Sequence, residues 1–369
     1  MNYRVKANRD IVGKAREFFT DLLDKKLLDG IIVPLELPSG KSYFPTLVKD
    51  KKLIERANPF VPVFQVSVAT QVSKMTRLSP FEGKIGVVMR PCDLRNYVEL
   101  IKFNQIDPTN LVIFGVDCYG VFDPNRFKDM AVSGEKPADK YWDMVEKDDE
   151  SELRRACRSC TTPVPNRYAD VVLGYFGSSG DLLLMAQTEK GEEILSGFGF
   201  EEAGSLDERE KIVSSIKERR ASFWEKVKEE TRKETSGVDN LLAFLGNCID
   251  CHNCKDQCPI CFCKECFWES PTFEFQSSDY MDWANKRGGV RLPTDTLFFH
   301  LGRLAHMSSS CTGCGLCEDA CPREIELQRL FKMVGENVQK AFDYEPGRDI
   351  EERPPLTTFK EEELLELGE

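Results

Sequence analysis

Two short stretches, CIDCHNCKDQCP at residues 248–259 and CTGCGLCEDACP at 311–322, repeat one spacing of four cysteines, CxxCxxCxxxCP. Three thiolates at three-residue intervals let one turn wrap a cubane and reach three of its irons, while the fourth, before proline, leaves toward a second cluster. On that wiring Cys248, Cys251 and Cys254 share one [4Fe–4S] cluster with Cys321, and Cys311, Cys314 and Cys317 share the other with Cys258. Gly313 and Gly315 suit a backbone that approaches a cluster closely and turns its N–H groups toward sulfide. Zinc prefers paired CxxC knuckles separated by a longer loop and has no use for three consecutive ligands and a trailing proline.

The segment between the runs begins CPICFCKECFW, which adds Cys261, Cys263 and Cys266; these either complete a further metal site with a ligand from elsewhere or pack as buried thiols. His300 and His306, in FHLGRLAHM, flank Arg303 on an expected helix and read as packing or hydrogen-bonding side chains more readily than as ligands. Four more cysteines lie far upstream. Cys92 and Cys118 each follow an expected strand, and Cys157 and Cys160 form CRSC in a loop. The Cys92 and Cys118 positions fall on the edge where open α/β sheets bind ligands, so the four either hold a third cluster beside a flavin or hydride-carrier crevice or are structural. The helix start at Pro91 to Leu94 offers free N–H groups to a thiolate or an anion. Arg90, Asp93 and Arg95 around that turn are candidates to contact an anionic cofactor, with surface ion pairing as the alternative.

These side chains need elements to position them. KAREFFTDLLDKK has helical periodicity, while LDGIIVPL, KIGVVM, NLVIFGVDC and ADVVLGYF are apolar runs of strand length. KIGVVM to NLVIFGVDC reads as strand, helix, strand with parallel strands. Residues 1–200 therefore predict an α/β (α+β) domain with a mostly parallel sheet. Residues 201–245 predict a charged helical connector or clamp, 246–335 a ferredoxin-like dicluster domain, and 336–369 an acidic flexible tail. No internal repeat beyond the doubled cysteine run is evident.

Composition narrows the function. With 41% hydrophobic and 30% charged residues in 369, the chain reads as globular, and a net charge of −12 argues against nucleic acid or anionic lipid as partners. No apolar run approaches the roughly 18 residues of a membrane helix, and MNYRVKANRD lacks the apolar core of a signal peptide. A cytoplasmic location is expected. There fifteen cysteines, an odd number, point to metal rather than to disulfides, and eleven of them fall in residues 246–335.

GVVMRPCDLR, CRSCTTPVPNRYADVVLGYFG and TEKGEEIL, in that order, resemble the β subunit family of coenzyme F420-reducing hydrogenases and dehydrogenases over about residues 5–200. CPICFCKECF, FHLGRLAHM and CTGCGLCEDACP look like the C-terminal half of formate dehydrogenase β subunits. The resemblance implies electron transfer between a catalytic subunit of formate dehydrogenase or hydrogenase type and a flavin (FAD) that reduces the deazaflavin, or onward to a heterodisulfide reductase assembly. Where family members with FAD carry a glycine-rich stretch before the first long helix, this chain has RDIVGKAREFF, so a flavin-free relay is the alternative cofactor state. A metal-stabilised adaptor within a larger complex is the alternative function.

Overall fold

A computed structural model describes residues 1–359. The chain divides into two compact units: Met1–Lys226 with Thr312–Cys314 and Pro346–Arg353, and Val227–Cys311 with Gly315–Glu345 and the segment from Pro354.

The first unit is built on an eight-stranded sheet of order β3-β2-β4-β5-β6-β7-β1-β8. Its strands are β1 Asn2–Val5, β2 Gly30–Glu36, β3 Tyr43–Val48, β4 Ile85–Met89, β5 Leu111–Val116, β6 Val171–Gly174, β7 Leu182–Ala186 and β8 Glu201–Glu202. The centre, β2, β4, β5 and β6, is parallel, and it is flanked by antiparallel pairings of β3 on β2 and of β7, β1 and β8 beyond β6. The sheet is thus mixed, with the expected parallel arrangement confined to its middle. IGVVM and LVIFGV are buried along their whole length, as parallel strands covered on both faces must be. Helix Ile11–Asp24 packs Phe18 and Phe19 edge-on against Phe114 of β5, with ring centroids 6.0 and 5.6 Å apart. Gly115 is required by a close approach: a Cβ there would come within 2.6 Å of Pro165 and 2.8 Å of Ala169, so the segment after CRSC lies directly on β5.

The charged helix expected within residues 201–245 runs Asp207–Thr235, and its arginines are not merely solvated. Arg209 pairs with fully buried Asp117, whose Oδ2 also accepts from the N–H groups of Tyr175 and Phe176 at 2.9 and 3.2 Å. Arg219 and Arg220 hold Glu150, and Arg220 Nη2 donates to the Tyr119 carbonyl at 2.6 Å. The helix therefore clamps the residues on either side of Cys118. Asp117→Ala leaves a guanidinium and two backbone donors without their partner; removing one member of a buried pair costs about 3–5 kcal/mol. The expected result is a fall in the denaturant midpoint with little change in slope, read by chemical denaturation of the variant.

Among the described residues the second unit has helices and no strand. It includes helix Thr296–Met307, carrying FHLGRLAHM, and helix Leu327–Ala341. That second helix runs past the boundary expected at 335, and Pro346–Arg353 group with the first unit, so the expected tail is partly built into the fold. Arg95 Nε donates to the Pro346 carbonyl at 2.9 Å and Gly347 N to Glu99 at 2.8 Å. Residues 360–369 of that tail lie outside the described residues.

Candidate metal centres

In the second unit, Cys248, Cys251 and Cys254 from the first cysteine run and Cys321 from the second line one cavity, closed by Phe299, His300 and Leu327. Asp250 and His252 take positive φ of 55° and 58°, which bends the run so that successive thiols face the same space. Cys254 is buried, and burial raises its pKa to about 11 against the opposing pull of Arg303, with Cys248, Cys321 and Cys251 raising it further. Sulfurs that resist ionising one beside another form a donor set suited to a multiply charged metal centre, which relieves their mutual repulsion. His300 Nε2 lies 3.4 Å from Cys248 Sγ, and burial holds its pKa down at about 4. His306 is exposed, and His252 stacks on Phe299 at 4.2 Å.

Cys258 is buried in the same unit. Its pKa falls to about 6, first through a hydrogen bond from Cys261. Cys261 therefore lies against Cys258, whereas Cys263 is exposed and Cys266 partly buried. Cys311 is fixed by Gln339, whose amide donates to its carbonyl at 3.0 Å, and Gly335 allows a close approach there, since a Cβ would sit 2.9 Å from the Ser308 carbonyl. Gly313 and Gly315 take positive φ of 70° and 84°, the left-handed turns that CTGCGLC requires.

A second cysteine cavity lies in the first unit. Cys92, Cys118, Cys157 and Cys160 line it together with Cys314. β4 and β5 are parallel neighbours, so Cys92, opening helix Pro91–Lys102 after β4, and Cys118, after β5, fall on one sheet edge. Cys118 N donates to the Pro163 carbonyl at 2.9 Å, which ties the CRSC loop to the same edge. Three buried arginines surround the thiols. Arg90 Nη1 donates to Cys118 Sγ at 3.4 Å, Arg154 Nε to Cys157 Sγ at 3.2 Å, and Arg220 Nη1 to the Cys160 carbonyl at 3.4 Å. Arg154 Nη2 also donates to the Cys314 carbonyl at 2.7 Å. Burial, and then Cys118, Cys314 and Cys160, hold the Cys92 thiol well above its ordinary value. Cys314, which the spacing pairs with Cys311, Cys317 and Cys258, thus belongs to the first unit and faces this cavity.

Arg90, Asp93 and Arg95 do not converge on one ligand. Arg90 serves Cys118 and the Val61 carbonyl, and Arg95 holds the carbonyls of Pro346 and Thr312. Asp93 is fully buried, accepts from Ser67 and from Val68 N at 2.7 Å, and caps the helix beginning at Val68. Burial raises its pKa to about 6. Sequence reasoning missed Arg154 and Arg220 as partners of the cysteines. It also missed an open cavity of about 860 Å³ in the first unit, whose walls include Tyr119, Trp142, Tyr175 and Phe176 and the Gly177–Gly180 turn. Only the CYG and YFG neighbourhoods of Cys118 and β6 could have hinted at it.

Among the described residues no group of three His, Cys, Asp or Glu side chains converges on a point that one ion could occupy. A cubane, with one thiolate per iron corner, spreads its ligands more widely. No described helix is long and apolar enough to cross a membrane.

An α/β sheet carrying cysteines on its strand-end edge, joined in one chain to a doubled CxxCxxCxxxCP unit, defines an iron–sulfur protein. Residues 244–325 match the 4Fe-4S dicluster domain, which houses two [4Fe–4S] clusters. Residues 82–213 match the C terminus of the coenzyme F420 hydrogenase/dehydrogenase beta-subunit family. The F420-dependent formate dehydrogenase subunit beta of Methanocaldococcus jannaschii is 29% identical over 93% of each chain. The F420-dependent formate dehydrogenase 1 subunit beta of Methanococcus maripaludis is 28% identical over 93% of this chain and 92% of its own. A chain of the F420-reducing [NiFe] hydrogenase complex from Methanosarcina barkeri superposes with a TM-score of 0.46 at 18% identity, over 64% of this chain and 93% of that one.

Proposed function

We propose that this chain is the electron-relay β subunit of a multisubunit oxidoreductase, passing single electrons through [4Fe–4S] clusters between a catalytic subunit of formate dehydrogenase or hydrogenase type and a second carrier. Cys248, Cys251, Cys254 and Cys321 would hold one cluster, and Cys311, Cys314, Cys317 and Cys258 the other. The observation that carries the reading is the cavity in which three thiols of the first run meet one of the second, the reciprocal exchange that a dicluster demands. Bound there, the clusters would supply one-electron chemistry. The chain's own residues exclude water with Phe299 and Leu327, and aim donors at sulfur from His300 and Arg303.

Cys92, Cys118, Cys157 and Cys160 would hold a third cluster. Support comes from their shared cavity and from the buried Arg90 and Arg154, which donate to the sulfurs of Cys118 and Cys157. The similarity to F420-dependent formate dehydrogenase β subunits over 93% of this chain supports a deazaflavin as the second carrier; a heterodisulfide reductase assembly is the alternative recipient. The thiol-rich composition suits the reducing cytoplasm.

A flavin-bearing form of the same relay is favoured by one observation. The aromatic-walled cavity of about 860 Å³ is of small-molecule size, and Tyr119 of its wall directly follows Cys118. Its charged lining is mostly carboxylate, Asp139, Glu146, Asp148 and Glu208 against Arg9, so a ring system fits better than a pyrophosphate.

Anaerobic purification tests the proposal directly. Expected are about eight irons per chain from the dicluster, or about twelve with the third cluster, and a broad absorbance that bleaches on reduction. A colourless, iron-free protein from anaerobic preparation would sink it. Flavin fluorescence after acid extraction decides the carrier site.

A further inference from the structure

Arg303, in helix Thr296–Met307, is 3% exposed. Its Nη1 donates to Cys254 Sγ at 3.0 Å and its Nη2 to the Cys254 carbonyl at 3.0 Å, while its Nε has no partner. It lies over the ring of Phe331, 4.7 Å from the centroid, with Phe299 at 5.8 Å. Its leading electrostatic neighbours are Cys254, Cys261, Cys258 and Cys317, and no carboxylate is among them. A buried guanidinium ordinarily has a carboxylate beside it, because desolvating an unpaired cation is costly. Here sulfur supplies the leading share of the compensating negative charge.

Those sulfurs divide between two ligand sets. Cys254 belongs to the first proposed cluster, and Cys258 and Cys317 belong to the second. We propose that Arg303 is the shared counter-cation of the dicluster, a fixed positive charge placed among thiolates of both clusters that raises the reduction potential of each. The inference rests on the ligand sets proposed above. Reduction adds one electron to a cluster without loss of a ligand, so the anionic cluster and its thiolates gain one unit of negative charge. A fixed cation in a water-poor surrounding favours the more negative state, and a guanidinium N–H bonded to a ligand sulfur withdraws electron density from the iron; both act in the same direction. Arg303 acts through the cysteine sulfurs and is a positioning residue rather than a catalytic one.

The experiment is a reductive titration of the full chain, isolated anaerobically, followed by electron paramagnetic resonance for wild type, Arg303→Gln and Arg303→Lys. Arg303→Gln is expected to disfavour reduction of both dicluster centres at least tenfold, a fall of about 59 mV for a one-electron couple. Arg303→Lys, which keeps the charge, is expected to retain most of the wild-type potentials. A fully loaded Arg303→Gln protein with wild-type potentials overturns the inference. Iron content is measured first, and an iron-free wild type overturns instead the reading on which the inference rests. Should Arg303→Gln fail to load, wild-type protein labelled with ¹⁵N-arginine decides the matter. A guanidinium nitrogen coupled to the reduced cluster spin, and missing from Arg303→Lys, supports the contact; its absence from wild type overturns the inference.

Discussion

Cys254→Ser is expected to lower the iron content by about four atoms per chain and to remove one reduced paramagnetic signal, and Cys321→Ser is expected to remove the same signal. The two residues lie in different runs, so a one-run, one-cluster arrangement predicts two different losses. Their shared cavity with Cys248 and Cys251 predicts one. The double variant carries the discrimination: Cys254→Ser with Cys321→Ser should lose about four irons, no more than either alone, because both changes strike one centre. Cys254→Ser with Cys258→Ser should lose about eight, since those two neighbours in sequence serve different clusters. An additive loss in the first pair would refute the reciprocal wiring while leaving the iron–sulfur assignment in place. Cys254 is also buried with Arg303 bonded to its sulfur, so replacing it removes that sulfur from a buried cation, which replacing Cys321 does not, and should make this variant the less stable of the two singles.

The second large effect concerns the first unit. Cys157→Ser with Cys160→Ser should remove about four further irons and leave both dicluster signals intact. The reason is geometric: the CRSC loop is pinned to the sheet edge by Cys118 N and by the contact of Pro165 on Gly115, which gathers thiols from three chain segments around Arg154 and Arg90. Arg154 would then lose the thiolate its Nε faces, and the local fold should loosen as well. Unchanged iron together with lowered stability would show these cysteines to be packing residues. Cys314 provides an internal control. Facing this cavity while standing in the second run, its replacement should disturb signals that Cys157 and Cys160 leave alone only if it ligates the dicluster.

Much of the sheet was legible because apolar runs of strand length leave few other readings. LDGIIVPL, KIGVVM, NLVIFGVDC and ADVVLGYF became β2, β4, β5 and β6, and KAREFFTDLLDKK became helix Ile11–Asp24. The antiparallel flanks were not read. β1 and β8 have four and two residues, too short for a period to register, and β3 carries Pro45 inside its span. β7, LLLMA, is buried almost throughout and therefore lacks the alternation that marks a strand against a helix. The charged helix fell within the stretch expected for it, yet its pairings with Asp117 and Glu150 were invisible, because a charge run in sequence does not say which face meets a buried partner.

What the sequence determined alone is the inorganic chemistry. Cluster ligation is local: three thiols on one turn must lie within a cubane's reach of each other, so spacing by itself implies a metal centre and nearly its type. What only the tertiary structure decided is the environment that sets how such centres behave. Cys92, Cys118, Cys157 and Cys160 share a cavity because parallel strands end on one edge, Cys314 joins them from the far end of the chain, and Arg303 is buried with cysteine sulfurs as its leading electrostatic neighbours. Burial and long-range pairing depend on how remote segments pack, and that information is distributed over the whole chain rather than written in any one stretch of it.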